Sequence, residues 1–185
     1  MRTIYAFELI TLDGFYTGPN DEFDWPNVDA EFNDWSVEQL DNTDTLLFGR
    51  TTYLGMAAYW PTAPADDPTA QRMNSYPKVV VSRTLDEAEW NNSRLIKDNV
   101  AEETAALKNR PGKDIALFGS FDLTVNLLEL GLVDELRILV NPIVLGAGKS
   151  LFNTTDKRLD FTLKATRSFA SGNVLLTYTP NTSRV

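Results

Sequence analysis

Three short segments carry the residue types that meet an anionic ligand. Phe48-Gly49-Arg50-Thr51-Thr52 and Phe118-Gly119-Ser120 each set a glycine directly after an apolar run, and Val81-Ser82-Arg83-Thr84 closes a third run with a cation between two hydroxyls. A glycine at such a junction lets the backbone turn sharply and lets a ligand approach the main chain. The first N–H groups of a following helix have no partner inside that helix, so they face whatever binds there. Arg50 and Arg83 add charge. Together these features describe a phosphate site. Each also has an ordinary explanation: a turn, a solvated arginine, or hydroxyls that help the chain leave a sheet. The recurrence at three strand ends favours the ligand reading.

Composition narrows the chemistry. The chain has 26 acidic and 17 basic residues, a net charge of −9. Such a surface repels a polyphosphate backbone, which excludes general nucleic-acid binding and leaves any anion to be met by local groups. There is no cysteine and no histidine. Thiolate catalysis, disulfides and Cys-ligated zinc are excluded, and the commonest general base and metal ligand are missing. With no compact carboxylate cluster either, no metal is expected. No apolar run approaches the roughly 20 residues of a membrane span. The N-terminus passes straight into a strand-like run without a signal-peptide pattern. The expectation is a cytoplasmic protein with a small-molecule partner and no membrane or nucleic-acid partner. Neither G-x-G-x-x-G nor a P-loop pattern occurs, so a Rossmann dehydrogenase and a P-loop NTPase do not fit. Arg83 stands at a strand end where a NAD enzyme carries an acid for the ribose hydroxyls, which favours the 2′-phosphate of NADPH.

The elements that must position these groups follow from apolar periodicity. Strands are expected over residues 4–10, 45–48, 78–82, 115–118 and 135–140. Helices are expected over 29–40, 50–59, 99–107 and 120–130. Asn99 with Glu102 resembles a capping box, and Gly131 is placed as the residue after the last helix. Residues 62–68, rich in Pro, Ala and Asp, read as a surface loop. Strand–helix–strand spacing of this kind implies parallel pairing. Residues 161–169 and 173–178, joined by Ser171-Gly172-Asn173, read instead as an antiparallel hairpin. The fold class is therefore α/β, with a mixed, mostly parallel sheet, an antiparallel C-terminal hairpin and helices on both faces. One domain is expected over residues 1–180, with 181–185 a frayed tail.

The same residues carry a family resemblance. Thr11-Leu12-Asp13-Gly14, Leu47-Phe48-Gly49-Arg50-Thr51-Thr52-Tyr53, Val80-Val81-Ser82-Arg83 and Ile115-Ala116-Leu117-Phe118-Gly119-Ser120 resemble the dihydrofolate-reductase-like superfamily. Gly131-Leu132-Val133-Asp134-Glu135-Leu136, Pro142 and Leu145-Gly146-Ala147-Gly148-Lys149-Ser150-Leu151-Phe152 are similar to its bacterial branch, related to the reductase domain of the riboflavin-biosynthesis deaminase/reductase. The match runs from residue 4 to 178. It implies a three-layer sandwich, NADPH as cofactor and a homodimer. It places Thr11, Asp13 and Gly14 near the nicotinamide, Gly49, Arg50, Thr51 and Thr52 on the phosphates, and Ser82, Arg83 and Thr84 on the adenosine phosphate. Gly119, Ser120 and Phe121 form the pyrophosphate turn. Phe121 is a departure, since that position is usually small. Its ring either anchors the helix in the core or points outward and crowds the cofactor. No zinc-deaminase motif precedes the domain, so the bifunctional enzyme is not expected.

The implied activity is hydride transfer from NADPH to a small heterocycle or a ribosylamino-pyrimidine such as 5-amino-6-(5-phosphoribosylamino)uracil. A dihydrofolate or pteridine substrate is the alternative. Such a reaction needs close positioning and a proton source. Asp29, Glu31 and Asp34 lie on the stretch where dihydrofolate reductase carries its acid. Asp34, between Phe32 and Trp35, is the candidate donor, although all three also read as a solvated helix face with Asp29 at its N-terminus. Trp25, Tyr59 and Trp60 would wall a flat substrate, or else anchor loops on the core. Lys149 would meet a substrate phosphate or remain a loop lysine. Leu123, Leu127, Leu128 and Leu130 read as core or a dimer face. From other classes, a nucleotide-binding sensor or carrier without turnover, or an interaction protein that has lost its site, stay open.

Overall fold

The computed structural model describes residues 1–181; positions 182–185 of the expected tail lie outside the described residues. In chain order the elements are β1 (Ile4–Thr11), β2 (Phe15–Thr17), α1 (Ala30–Asp41), β3 (Thr43–Gly49), α2 (Arg50–Tyr59) and α3 (Pro68–Ser75). There follow β4 (Lys78–Val81), β5 (Ser93–Ile96), α4 (Val100–Asn109), β6 (Asp114–Phe118), α5 (Phe121–Glu129), β7 (Glu135–Asn141), β8 (Lys149–Ser150), β9 (Phe161–Ser168) and β10 (Val174–Pro180).

Eight strands form one sheet in the order β5-β4-β3-β6-β1-β7-β10-β9, and β2 pairs with β8 in a separate small ladder. From β5 to β7 all neighbours are parallel, while β10 is antiparallel to both β7 and β9. The mixed sheet with a C-terminal hairpin is the expected architecture. Its central strands are apolar on both faces because helices cover both. Along β1, Ile4 and Ala6 join one core cluster with Leu107 of α4 and Leu123, Leu127 and Leu128 of α5. Tyr5 and Phe7 point the other way, to Phe32 and Trp35 of α1, Tyr53 of α2 and Met73 of α3. Burial of each large side chain stabilises the fold by about 1.5–3 kcal/mol.

Helix ends are built as the residue types suggest, with one exception. Asp29 caps α1 by accepting from the Phe32 N–H at 2.8 Å, and Asp67 caps α3. Gly131, at φ +67°, closes α5 in a Schellman motif: its N–H meets the Leu128 carbonyl at 3.0 Å, and the Leu132 N–H meets Leu127 at 2.9 Å. Asn99 does not form the expected capping box. It is left-handed, at φ 52°, ψ 41°, and its side chain caps nothing. A capping side chain reaches the first-turn N–H groups from extended backbone, whereas here the chain leaving β5 turns through Asn99 itself. The helix then continues past the expected end at residue 107, to Asn109. Three elements carried no sequence expectation: α3, β5 and the β2–β8 ladder. β5 pairs parallel to β4 after a connection without helix, so the strand–helix–strand rule does not hold there. Asn181, the first residue of the expected tail, is tied to the sheet through its N–H to the Asp160 carbonyl at 2.8 Å.

Lys78 fastens the β4–β5 edge. It is buried, and its ammonium donates to the carbonyls of Asn74 (3.2 Å), Tyr76 (2.9 Å) and Asn91 (3.1 Å), 4.2 Å from the centroid of the Trp90 ring. Burial pulls its pKa down to about 8. Lys78→Met keeps the stem but leaves three carbonyls without this donor. It is expected to destabilise the fold by about 2–4 kcal/mol, measured by urea denaturation at pH 7; a loss below 0.5 kcal/mol would show that water replaces the ammonium freely.

Candidate active site

Parallel pairing sends every crossover back to the opposite edge before the next strand begins, so the strand carboxyl ends gather on one edge. Read across the sheet, this edge carries Ser82 and Arg83 beyond β4, Gly49 and Arg50 at β3, Gly119 and Ser120 beyond β6, then Thr11 to Gly14 at β1. Strands lie about 4.8 Å apart, so the row from β4 to β1 spans roughly 14 Å. The cations, the glycine turns and the β1 loop therefore follow one another in a line.

The centre of that line is a brace between two strand ends. The Ser120 N–H donates to Thr52 Oγ1 at 2.9 Å, and the Gly49 N–H donates to Ser120 Oγ at 2.6 Å. Gly119 and Ser120 are both left-handed, at φ 52° and 60°. That conformation is sparse for a serine, and the brace holds it. Both glycines are needed for closeness. A Cβ on Gly49 would lie 3.1 Å from Ser120 Cβ, and one on Gly119 would lie 3.1 Å from Thr52 Oγ1. Thr52 and Ser120, read as ligand-binding hydroxyls, thus serve first to hold the turn.

What remains to meet an anion is clear from the caps. Asp side chains cap α1 and α3, but no side chain caps α2 or α5, whose N-termini lie beside each other on neighbouring strands. Arg50 and Arg83 are exposed, and among the described residues neither has an ion-pair partner. Thr51 is exposed on the first turn of α2. Ser82 is buried, and its Oγ accepts from the N–H groups of Thr84 (3.3 Å) and Leu85 (3.0 Å). It shapes the exit of β4, no helix follows it, and Arg83 and exposed Thr84 are left to face outward.

At β1, Thr11 donates to Asp13 at 2.6 Å and accepts from the Phe15 N–H at 3.0 Å. The Asp13 carboxylate also accepts from the N–H groups of Leu145 (3.3 Å) and Gly146 (2.7 Å). The Thr11 bond and then these backbone donors hold its pKa low. Gly14, at φ +84°, makes the turn. Asp13 therefore pins the β1 loop to the 145–146 loop. Beyond it, Tyr16 of β2 lies flat on Phe121, with ring centroids 3.4 Å apart and planes at 14°. Phe121 is half-buried and packs against the core, so the ring is a helical anchor roofed by Tyr16.

The substrate-side expectations fare unevenly. Trp25 is buried, beside Phe23 in a T-shaped contact, so it anchors a loop. Asn27, next but one, donates its N–H to Asn141 Oδ1 at 3.0 Å and its side chain to the Ser171 carbonyl at 2.9 Å. Tyr59 and Trp60 do not come to the edge. They end α2, and the Trp60 carbonyl accepts from Asn74, beside Lys78 at the start of β4. A 10-residue helix running back from β3 carries its end about 15 Å away. Asp34 lies on the solvent face of α1, opposite Phe32 and Trp35, and forms no hydrogen bond or ion pair among the described residues. Asp29 holds the hairpin turn through the Ser171 N–H at 2.9 Å, and Glu31 holds it through the Ala170 N–H at 2.9 Å and Arg167 at 3.3 Å. Lys149 pairs with Asp21. Leu123, Leu127 and Leu128 are core, while Leu130 is exposed.

Sequence reasoning passed over Tyr16, whose partner comes from another element, and Glu8. The signal for Glu8 was present: it interrupts an otherwise apolar strand, and it is fully buried.

The geometry can be set beside known proteins. The family model for the RibD C-terminal domain matches residues 2–175. The chain belongs to the RibD C-terminal domain family. YyaP of Bacillus subtilis (strain 168) is 39% identical over 182 residues, covering 96% of this chain and 94% of its own. The crystal structure of a proposed riboflavin biosynthesis protein from Shewanella sp. PV-4 superposes with a TM-score of 0.75 at 25% identity, covering 97% and 99% of the two chains. A diaminohydroxyphosphoribosylaminopyrimidine deaminase/5-amino-6-(5-phosphoribosylamino)uracil reductase of Thermotoga maritima shares the fold, with a TM-score of 0.71 at 13% identity. That match covers 97% of this chain and 57% of the Thermotoga one. Fold and family are those of the RibD-type reductases.

The brace makes a stability prediction. Thr52→Val removes the acceptor of the Ser120 N–H and is expected to lower unfolding free energy by about 1–3 kcal/mol. Thr52→Ser should restore most of it in the same thermal melts. Equal melts for wild type and Thr52→Val would mean that the turn stands without the brace.

Proposed function

We propose that this RibD-family domain is an NADPH-dependent reductase acting on a ribosylamino-pyrimidine or a related small heterocycle. The observation that carries the reading is the order of groups along the edge: Arg83 and Arg50, without ion-pair partners among the described residues, two uncapped helix N-termini bridged by the Gly49–Ser120 brace, then the β1 loop. A dinucleotide needs that order, with a phosphate-bearing adenosine at one end, a pyrophosphate in the middle and the nicotinamide at the other. The residues fit the group. Arg83 and Thr84 suit the 2′-phosphate, Arg50, Thr51 and the α2 and α5 N–H groups suit the pyrophosphate, and the glycines keep side chains out of the cradle. Bound there, NADPH supplies the hydride; the chain binds and orients. Asp29 and Glu31 are engaged with the hairpin turn and Asp34 faces solvent, so the proton comes from water. This suits reduction of a sugar carbonyl or imine in which positioning provides most of the acceleration.

A nucleotide-binding module without turnover is the second reading, favoured because none of the candidate donors Asp29, Glu31 and Asp34 is free at the crevice. One experiment separates them. Titration with NADPH and NADH, followed through tryptophan quenching, should give much tighter NADPH binding. Arg83→Ala should weaken NADPH by about tenfold or more, as expected for a charge-assisted phosphate contact, and leave NADH nearly unchanged. NADPH oxidation with 5-amino-6-(5-phosphoribosylamino)uracil or its dephosphorylated form would then establish turnover. Equal loss for both nucleotides would move the 2′-phosphate away from Arg83, and binding without oxidation would favour the second reading.

A further inference from the structure

Glu8 has no part in the site as described. It lies on β1 on the face covered by α5, and none of its surface is exposed. Its Oε1 lies 2.6 Å from Thr124 Oγ1, its Oε2 has no partner, and no cation pairs with it among the described residues. Thr124, also buried, lies 3.2 Å from the Gly119 carbonyl. That carbonyl belongs to the peptide joining the two left-handed residues of the phosphate turn.

A threonine hydroxyl has one proton. It cannot donate to a carboxylate and to a carbonyl at once. Both contacts are satisfied together only when the Glu8 carboxyl is protonated and donates to Thr124, which in turn donates to Gly119. If Glu8 ionises, the Thr124 proton is drawn to the carboxylate and the Gly119 carbonyl loses its side-chain donor.

We propose that Glu8 is the positioning residue of the phosphate turn: in its neutral form, acting through Thr124, it holds the Gly119 carbonyl inward and keeps the α5 N-terminus presented to the ligand. The inference rests on the cofactor reading for the identity of that ligand, but not for the coupling itself. Burial pushes the carboxyl up to about 8, with the Thr124 bond acting the other way. The neutral form therefore prevails at pH 7 and is lost as pH rises through that value. The other groups facing Glu8 do not supply this titration. Thr124 is its partner from α5. Ile138 is its neighbour on β7. From β2, Tyr16 lies near enough to feel the Glu8 charge; burial first and Asp122 second raise that phenol, Asp21 and Glu8 add to the rise, and Lys149 acts the other way, so it titrates above its ordinary value. Lys78 titrates in the same range, but at the opposite edge of the sheet.

The test has two readouts. In ¹⁵N spectra of the ligand-free protein, the Gly119 and Ser120 amides should shift with an apparent midpoint near pH 8, and Glu8→Gln should abolish that step. For binding, NADPH affinity should fall about threefold to tenfold between pH 7 and 9, the worth of one neutral hydrogen bond. Glu8→Gln, whose amide donates to Thr124 without ionising, should bind at pH 7 and show no such fall. Thr124→Val should bind weakly at every pH, and Thr124→Ser should recover. Turn amides that ignore pH, or that titrate alike in wild type and Glu8→Gln, would overturn the proposal. If the amides titrate as expected but NADPH binds at no pH, the cofactor reading fails and the control of the turn by Glu8 stands.

Discussion

The site depends on parallel pairing. Six strands from β5 to β7 run the same way, so each connection must return to the far edge before the next strand starts. Residues that follow the strands therefore collect on one side, and residues that end the helices collect on the other. Arg50, Arg83, Gly119 and Thr11 share an edge for this reason, while Tyr59, Trp60 and Lys78 share the opposite one. The sheet can hold so many parallel strands because two separate apolar clusters cover its two faces.

Within that frame, most polar groups near the crevice hold backbone and leave few for a ligand. Thr52 and Ser120 lock two strand ends together, Ser82 turns the chain out of β4, and Asp13 ties two loops. Asp29 and Glu31 fasten α1 to the C-terminal hairpin turn, which fixes one wall of the crevice. The arginines are the exception. In a protein of net charge −9, two exposed arginines without ion-pair partners among the described residues share an edge with two uncapped helix N-termini and concentrate positive potential there. An acidic surface with a local basic row favours one bound phosphate ligand over many nonspecific ones.

The division of labour also explains why Asp29 and Glu31 are not free at the crevice. Asp29 and Glu31 are drawn into capping and loop fastening by nearby N–H groups, and for Asp29 these bonds hold the carboxyl below its ordinary pKa. Among the described residues the carboxyl pushed the other way is Glu8, buried behind the Gly119–Ser120 turn. Electrostatic environment, more than residue type, sorts these acids into roles.

Much was legible along the chain because it is governed by local rules. Apolar runs of strand length, Gly131 after α5, the Gly49 and Gly119 junctions and the Ser171–Asn173 turn each depend on residues close in sequence, and each stands where periodicity and turn chemistry put it. The charge balance and the lack of His and Cys likewise set the class of chemistry. What the tertiary structure decided were relations between distant segments. Asn99 looks like a cap, yet the path from β5 forces it left-handed. Trp60 looks like a pocket wall, yet the length of α2 carries it to the wrong edge. Tyr16 meets Phe121, and Glu8 reaches Gly119 through Thr124, only because β1, β2 and α5 pack together. A hydrogen bond or a stacked ring is a property of two positions, and a sequence specifies its positions one at a time.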